Sequence, residues 1–290
     1  MKQFIIKCTF FLGLVILINI LYLIILVCFS PGFKKVYDIS KIENKKYDLL
    51  VLGNSMALDG IDAEYLTSNN IKTYNFSVAG NHISTSLMIL ENYLKHNQKP
   101  KTVMLCLSSS IGNSYLNKIP FSNPEVDFFF KPSLKKNIVN PPLFNFQWLA
   151  IDLIKIIISK DHRNAKLVLG QWQTNKVIPD NSVYKQMDIK FLDYKNPYLN
   201  KIVDLCQKNA IKVLLVELPG SNKNRDQIPF YNKIPLLNNK KHLLYNLNNY
   251  SLSSEILDPK TDWLSPDHLN QSGAKKITKF LFEKEIFKSN

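Results

Sequence analysis

The sequence predicts an α/β domain with a parallel central sheet, tethered by one N-terminal membrane-spanning helix. Three observations carry that reading. Residues Cys8 to Phe29 carry no charge and are almost wholly apolar. Three short runs, Asp48–Leu52, Thr102–Leu107 and Lys212–Leu218, are aliphatic without helical spacing, the pattern of strands buried on both faces. Stretches of helical spacing separate them, as in right-handed strand–helix–strand units.

The chain has 290 residues, enough for one large domain or two small ones. Its formal net charge of +14 points to an anionic neighbour such as lipid head groups or an acidic polymer, or simply to a solvated basic surface. Nucleic acid is not expected. No basic stripe with interleaved aromatics, zinc spacing or recognition-helix pattern is present. Cys8, Cys28, Cys106 and Cys206 have no CxxC or metal spacing and read as apolar fillers. A Cys106–Cys206 disulfide stays open for an extracytoplasmic domain.

In chain order, Cys8–Phe29 is long enough to cross a hydrocarbon core of about 30 Å at about 1.5 Å per residue. Val27-Cys28-Phe29-Ser30-Pro31-Gly32 offers no good cleavage site, so residues 1–32 read as an uncleaved anchor. Lys2 and Lys7 before the span nearly balance Lys34 and Lys35 after it. A single span before a long domain favours an extracytoplasmic domain. Residues 33–46 read as a polar juxtamembrane linker, and 47–290 as the domain. At no more than about 3.5 Å per residue, Ser55 stays fairly near the bilayer.

Asn70–Val78 reads as a second strand ending at Ala79-Gly80-Asn81. Ser84–Lys95 is a helix with Leu87, Leu90, Tyr93 and Leu94 on one face. Residues 108–196 break the rhythm with six prolines and the run Phe128-Phe129-Phe130. They read as an insertion or lid with one apolar helix at Phe146–Ile158, either walling an acyl chain, docking a membrane partner or simply packing. Asn196–Asn209 is a helix and Lys212–Leu218 the fourth strand. A loop and helix are expected to about Asn249, then a short strand near Glu255–Leu257. Ser272–Phe287 is the closing helix.

Two distant stretches carry chemistry. Gly53-Asn54-Ser55 follows the first strand, at the rim where open α/β sheets bind ligands. Asp267-His268-Leu269-Asn270, with Gly273-Ala274, leads into the last helix. A serine hydroxyl becomes a useful nucleophile once a neutral imidazole takes its proton. Ser55 alone would be a helix cap, His268 alone a surface or capping histidine, and Gly80 alone a turn residue.

With these motifs, and Ala79-Gly80 after the second strand, the chain resembles the SGNH/GDSL hydrolases from Tyr47 onward. It is most similar to their membrane-anchored branch, which includes the D-alanyl transfer proteins of teichoic acids and the alginate O-acetylation proteins. The resemblance implies a flavodoxin-like three-layer fold. It implies Ser55 as nucleophile, His268 as base, and an oxyanion hole from the Ser55 and Gly80 amides with an asparagine near Asn113. No cofactor or metal is expected. The substrate class would be an acylated envelope polysaccharide or glycolipid, with a membrane-bound O-acyltransferase as partner.

The sequence departs from the family pattern in two places. Asn54 stands where the family has Asp. Ser265 stands three residues before the histidine, where the family has its third acid. Asp267 is the expected acid, although neighbouring side chains normally point apart, and Asp262 would reach only if the loop folds over. A Ser–His dyad oriented by Ser265 or a carbonyl is the other arrangement. A catalytically inactive scaffold of this family is the rival reading.

Overall fold

The computed structural model describes residues 1–108, 118, 123–132, 139–158, 166–177, 194–220, 229–237 and 241–287. By its internal contacts the chain divides into two units, residues 1–41 with 124–163, and residues 42–123 with 164–290.

The larger unit is built on β1 (Leu49–Leu52), whose four side chains are all buried. It pairs in parallel with β2 (Thr73–Asn75) on one side and β3 (Thr102–Leu107) on the other. Beyond β3 lie β6 (Lys212–Glu217) and β8 (Lys241–Asn246), again parallel. β7 (Tyr231–Pro235) closes the sheet antiparallel to β8, giving the order β2-β1-β3-β6-β8-β7. The five parallel strands thus follow the 2-1-3-4-5 order of flavodoxin-like sheets.

Strands buried on both faces require helices on both faces. On one face α5 (Ile83–His96) packs beside α9 (Pro197–Lys208). On the other, α11 (Gln271–Glu283) packs on α3 (Ser55–Gly60), α4 (Ala63–Ser68) and α10 (Tyr250–Ile256). Alternate strand residues feed that second core: Leu49 and Val51, Met104 and Cys106, Leu214 and Val216 meet Ala57, Ile277 and Leu281. Two small antiparallel ladders complete the unit. One joins β4 (Lys166–Val168) to β5 (Gln171–Gln173), the other β9 (Trp263–Ser265) to β10 (His268–Leu269). Cys106 and Cys206 are buried free thiols, so no disulfide links them.

Three expectations are corrected here. The loop and helix expected before Asn249 are the β7–β8 hairpin. Its strands bury few side chains, and Lys233 and Pro235 mark β7 as a sheet edge, so the apolar signal is weak. The strand expected near Glu255–Leu257 is instead the end of α10, a serine-rich helix capped by Asn249, whose side chain accepts from the Leu252 amide at 3.0 Å. More than half of the stretch read as a polar linker, residues 33–40, is helical and belongs to α2 (Pro31–Ser40), started by a Ser30 cap and proline at its first position.

The smaller unit contains α1 (Lys2–Phe29), long and apolar enough to cross a membrane and largely bare, together with α2. With them pack α6 (Pro124–Phe130), α7 (Pro142–Asn145) and α8 (Trp148–Ile158). Tyr22, Leu26, Phe33, Phe146 and Leu153 form its core, and Phe128 and Phe129 pack against them. Phe33 meets Phe129 and Phe146 edge-on, at centroid distances of 5.2 and 5.0 Å.

Candidate active site

Ser55 is the first residue of α3, three residues beyond the end of β1. Gly53 makes so short a turn feasible, since a Cβ there would collide with Ala57 and crowd the Cys106 carbonyl. Asn54 caps α3 by accepting from the Met56 amide at 3.1 Å. Its amide nitrogen also donates to Ser108 Oγ at 2.5 Å, tying the ends of β1 and β3 together. Both side chains are buried. With an amide at position 54 the donor in this contact is Asn54; a carboxylate there would cap equally well and would accept from the Ser108 hydroxyl instead.

His268 arrives from the other end of the chain, on β10. In the β9–β10 ladder it is the register partner of Ser265. Ser265 Oγ lies 2.7 Å from His268 Nδ1, and His268 Nε2 lies 2.8 Å from Ser55 Oγ. The three side chains form one hydrogen-bonded series. Burial holds the imidazole below its ordinary pKa and the Asp267 charge partly opposes this, so the ring is neutral at pH 7 and able to accept a proton.

Asp267 makes no hydrogen bond to the ring and acts on it through charge alone. The expectation that Asp267 orients the ring is corrected by geometry: adjacent side chains diverge on extended backbone, whereas positions 265 and 268 face each other across the tight β9–β10 turn. Asp262 does not reach the ring either. Fully buried, its carboxylate accepts from Lys276 Nζ at 2.6 Å, Ser272 Oγ at 2.7 Å and the Asp258 amide at 2.7 Å.

Those bonds brace the loop that carries His268. Asn270 caps α11 by accepting from the Gly273 amide at 3.1 Å, and donates to the Thr261 carbonyl at 2.7 Å. A Cβ on Gly273 would run into the Asp262 carbonyl, so the helix approaches this closely only as glycine.

Gly80 adopts φ +64°, and a Cβ there would meet open space. Asn81 ties this turn to the Ser55 turn, because its amide nitrogen and the Val78 N–H both donate to the Gly53 carbonyl at 3.3 Å. Among the described residues, the Ser55 and Gly80 amides make no hydrogen bond. Asn113, the third expected oxyanion residue, lies outside the described residues.

One titratable residue near this site escaped the sequence reading. Asp59 stands four residues after Ser55 on α3, nearly buried, and burial pushes its carboxyl up to about 8. In sequence it looks like an ordinary acidic residue near a helix end. Among the described residues no group of three His, Cys, Asp or Glu side chains is placed to hold a metal. A cavity of about 570 Å³ lies at the amino ends of β1, β3 and β6, lined in part by Leu49, Thr102 and Lys212. That is the rim opposite Ser55, so it is no part of this site.

No protein-family model matches the chain, and no curated protein sequence matches it.

Proposed function

We propose that this chain is a membrane-anchored serine acyl esterase or O-acyltransferase of the SGNH/GDSL type, acting on an envelope polysaccharide or glycolipid. The observation that carries the reading is the hydrogen-bonded series Ser265–His268–Ser55 at the carboxyl end of β1.

In this reading Ser55 Oγ attacks an acyl carbonyl while His268 Nε2 takes its proton. Ser265 accepts from Nδ1–H, which keeps Nε2 free to act as base. It steadies the imidazolium less than a carboxylate does. The Ser55 and Gly80 amides bind the oxyanion. Departure of the alcohol, protonated by His268, leaves an acyl-Ser55. Water or a sugar hydroxyl, deprotonated by His268, then takes the acyl group. The apolar α1 supports an anchor, with the catalytic unit outside the cytoplasm and near acyl groups handed over by a multispan acyltransferase.

A second reading, a catalytically silent scaffold in the same modification complex, is favoured by the serine at 265 in place of an acid. Deletion of the gene, followed by quantification of O-acyl groups on surface glycans, separates the two. Complementation by the wild-type gene but not by Ser55→Ala is expected for the enzyme. Full rescue by Ser55→Ala contradicts it.

A further inference from the structure

We propose that α8 and the turn before it, residues Pro142–Ile158, are seated in the lipid bilayer beside α1, as a second membrane-contacting element. The inference rests on the reading of α1 as a membrane anchor and adds to it.

Helix α8 has two apolar faces. One is spent inside the protein: Leu153 is buried in the cluster with Tyr22 and Leu26 of α1. The other is bare. Ile151, Ile154 and Ile158 are 62%, 58% and 77% exposed. At 100° per residue they fall on one stripe about 60° wide. Asp152 stands about 130° around from the centre of that stripe. The bare stripe therefore belongs to a helix already packed on a helix that is itself bare and apolar, with Leu17, Ile20 and Ile24 about half exposed. Lipid acyl chains are the occupant that covers both without a break.

The backbone gives an independent reason. Non-helical chain enters hydrocarbon only where its polar groups are satisfied from within the protein. Every amide from Leu143 to Phe146 is so satisfied. Asn19 Oδ1 on α1 accepts from the Leu143 amide at 2.9 Å. The amides of Phe144 and Asn145 donate to the Pro141 carbonyl and that of Phe146 to the Pro142 carbonyl, while Pro142 has none to satisfy. The Phe146 carbonyl accepts from Tyr22 Oη at 2.7 Å. Asn19 and Tyr22 of α1 are thus used to seal the turn, and Phe144 beside it is 68% exposed.

The test uses the full chain in phosphatidylcholine nanodiscs, with Cys8 and Cys28 replaced by serine and a nitroxide placed at Ile154→Cys, Leu17→Cys or Lys99→Cys. Power-saturation EPR compares collisions with oxygen, which concentrates in lipid, and with a water-soluble nickel chelate. The expected oxygen-to-nickel ratio at 154 matches that at 17 and exceeds that at 99 several-fold. A ratio at 154 like that at 99, with 17 still lipid-like, overturns the proposal and leaves the anchor standing. Shielding of 154 from both reagents overturns it in favour of a protein partner on the stripe. Nickel access at 17 overturns the anchor itself and this proposal with it.

Discussion

Ser265 Oγ sits 2.7 Å from His268 Nδ1, on the far side of the ring from Ser55. A neutral hydroxyl thus occupies the orienting position. Ser265→Ala is expected to lower kcat on a small aryl ester about tenfold with little change in KM, because the ring loses its orienter and the ester contacts are untouched. Ser265→Asp places a carboxylate on the ring and raises the imidazole pKa. The base must be neutral, so the acid limb of the pH–rate profile moves up by about one unit. An unmoved limb in Ser265→Asp counts against this role.

Asp262 braces the His268 loop through the hydrogen bonds its buried carboxylate accepts. Burial alone would raise its pKa, but hydrogen bonds from Lys276, Ser272 and Asp258, with the Lys276 charge, outweigh burial and hold it below the ordinary value. A depressed carboxylate contributes stability that is present above about pH 4 and is lost as pH falls through the folded value. Asp262→Ala is therefore expected to cost about 2–4 kcal/mol at pH 7 and less as pH falls through the lowered folded pKa of Asp262, by thermal melts across pH. Lys276 is 43% exposed, so most of that loss comes from buried hydrogen bonds left unmade rather than from the ion pair.

Asp59 has the opposite sign. Its carboxyl is raised to about 8 by burial, so the folded chain keeps a proton that the unfolded chain releases near pH 4. Stability falls as pH rises between those values. Asp59→Asn is expected to raise stability by about 1–3 kcal/mol at pH 8 and to leave it unchanged near pH 4. Equal pH dependence in mutant and wild type contradicts the assignment.

Gly273→Ala forces a methyl against the Asp262 carbonyl. The expected loss is about 1–3 kcal/mol, together with a fall in esterase rate larger than Ser265→Ala produces, because the whole His268 loop shifts. Unchanged melting and unchanged rate together contradict the close packing.

Legibility followed burial. β3 lies at Thr102–Leu107, as its aliphatic run predicts, because a strand covered on both faces must be apolar throughout. The β7–β8 hairpin and α10 were illegible for the converse reason: an edge strand and a serine-rich helix leave little periodic apolar signal. At the candidate site, Ser55 and His268 were legible from their places after a strand and before a helix. For the orienter of the ring, the sequence allows a neighbouring acid or Ser265. What decides it is the β9–β10 turn, a three-dimensional feature of residues that are ordinary in sequence. Asp59 gave no signal, since its burial comes from packing of elements far apart in the chain.

The account depends on Ser55 being an activated nucleophile. Reaction of the full chain with a fluorophosphonate probe, read by gel fluorescence and mass spectrometry, tests this most directly. Wild type is expected to be labelled on Ser55, and Ser55→Ala and His268→Ala to remain unlabelled although folded. Equal labelling of all three proteins, or none of the wild type, contradicts it.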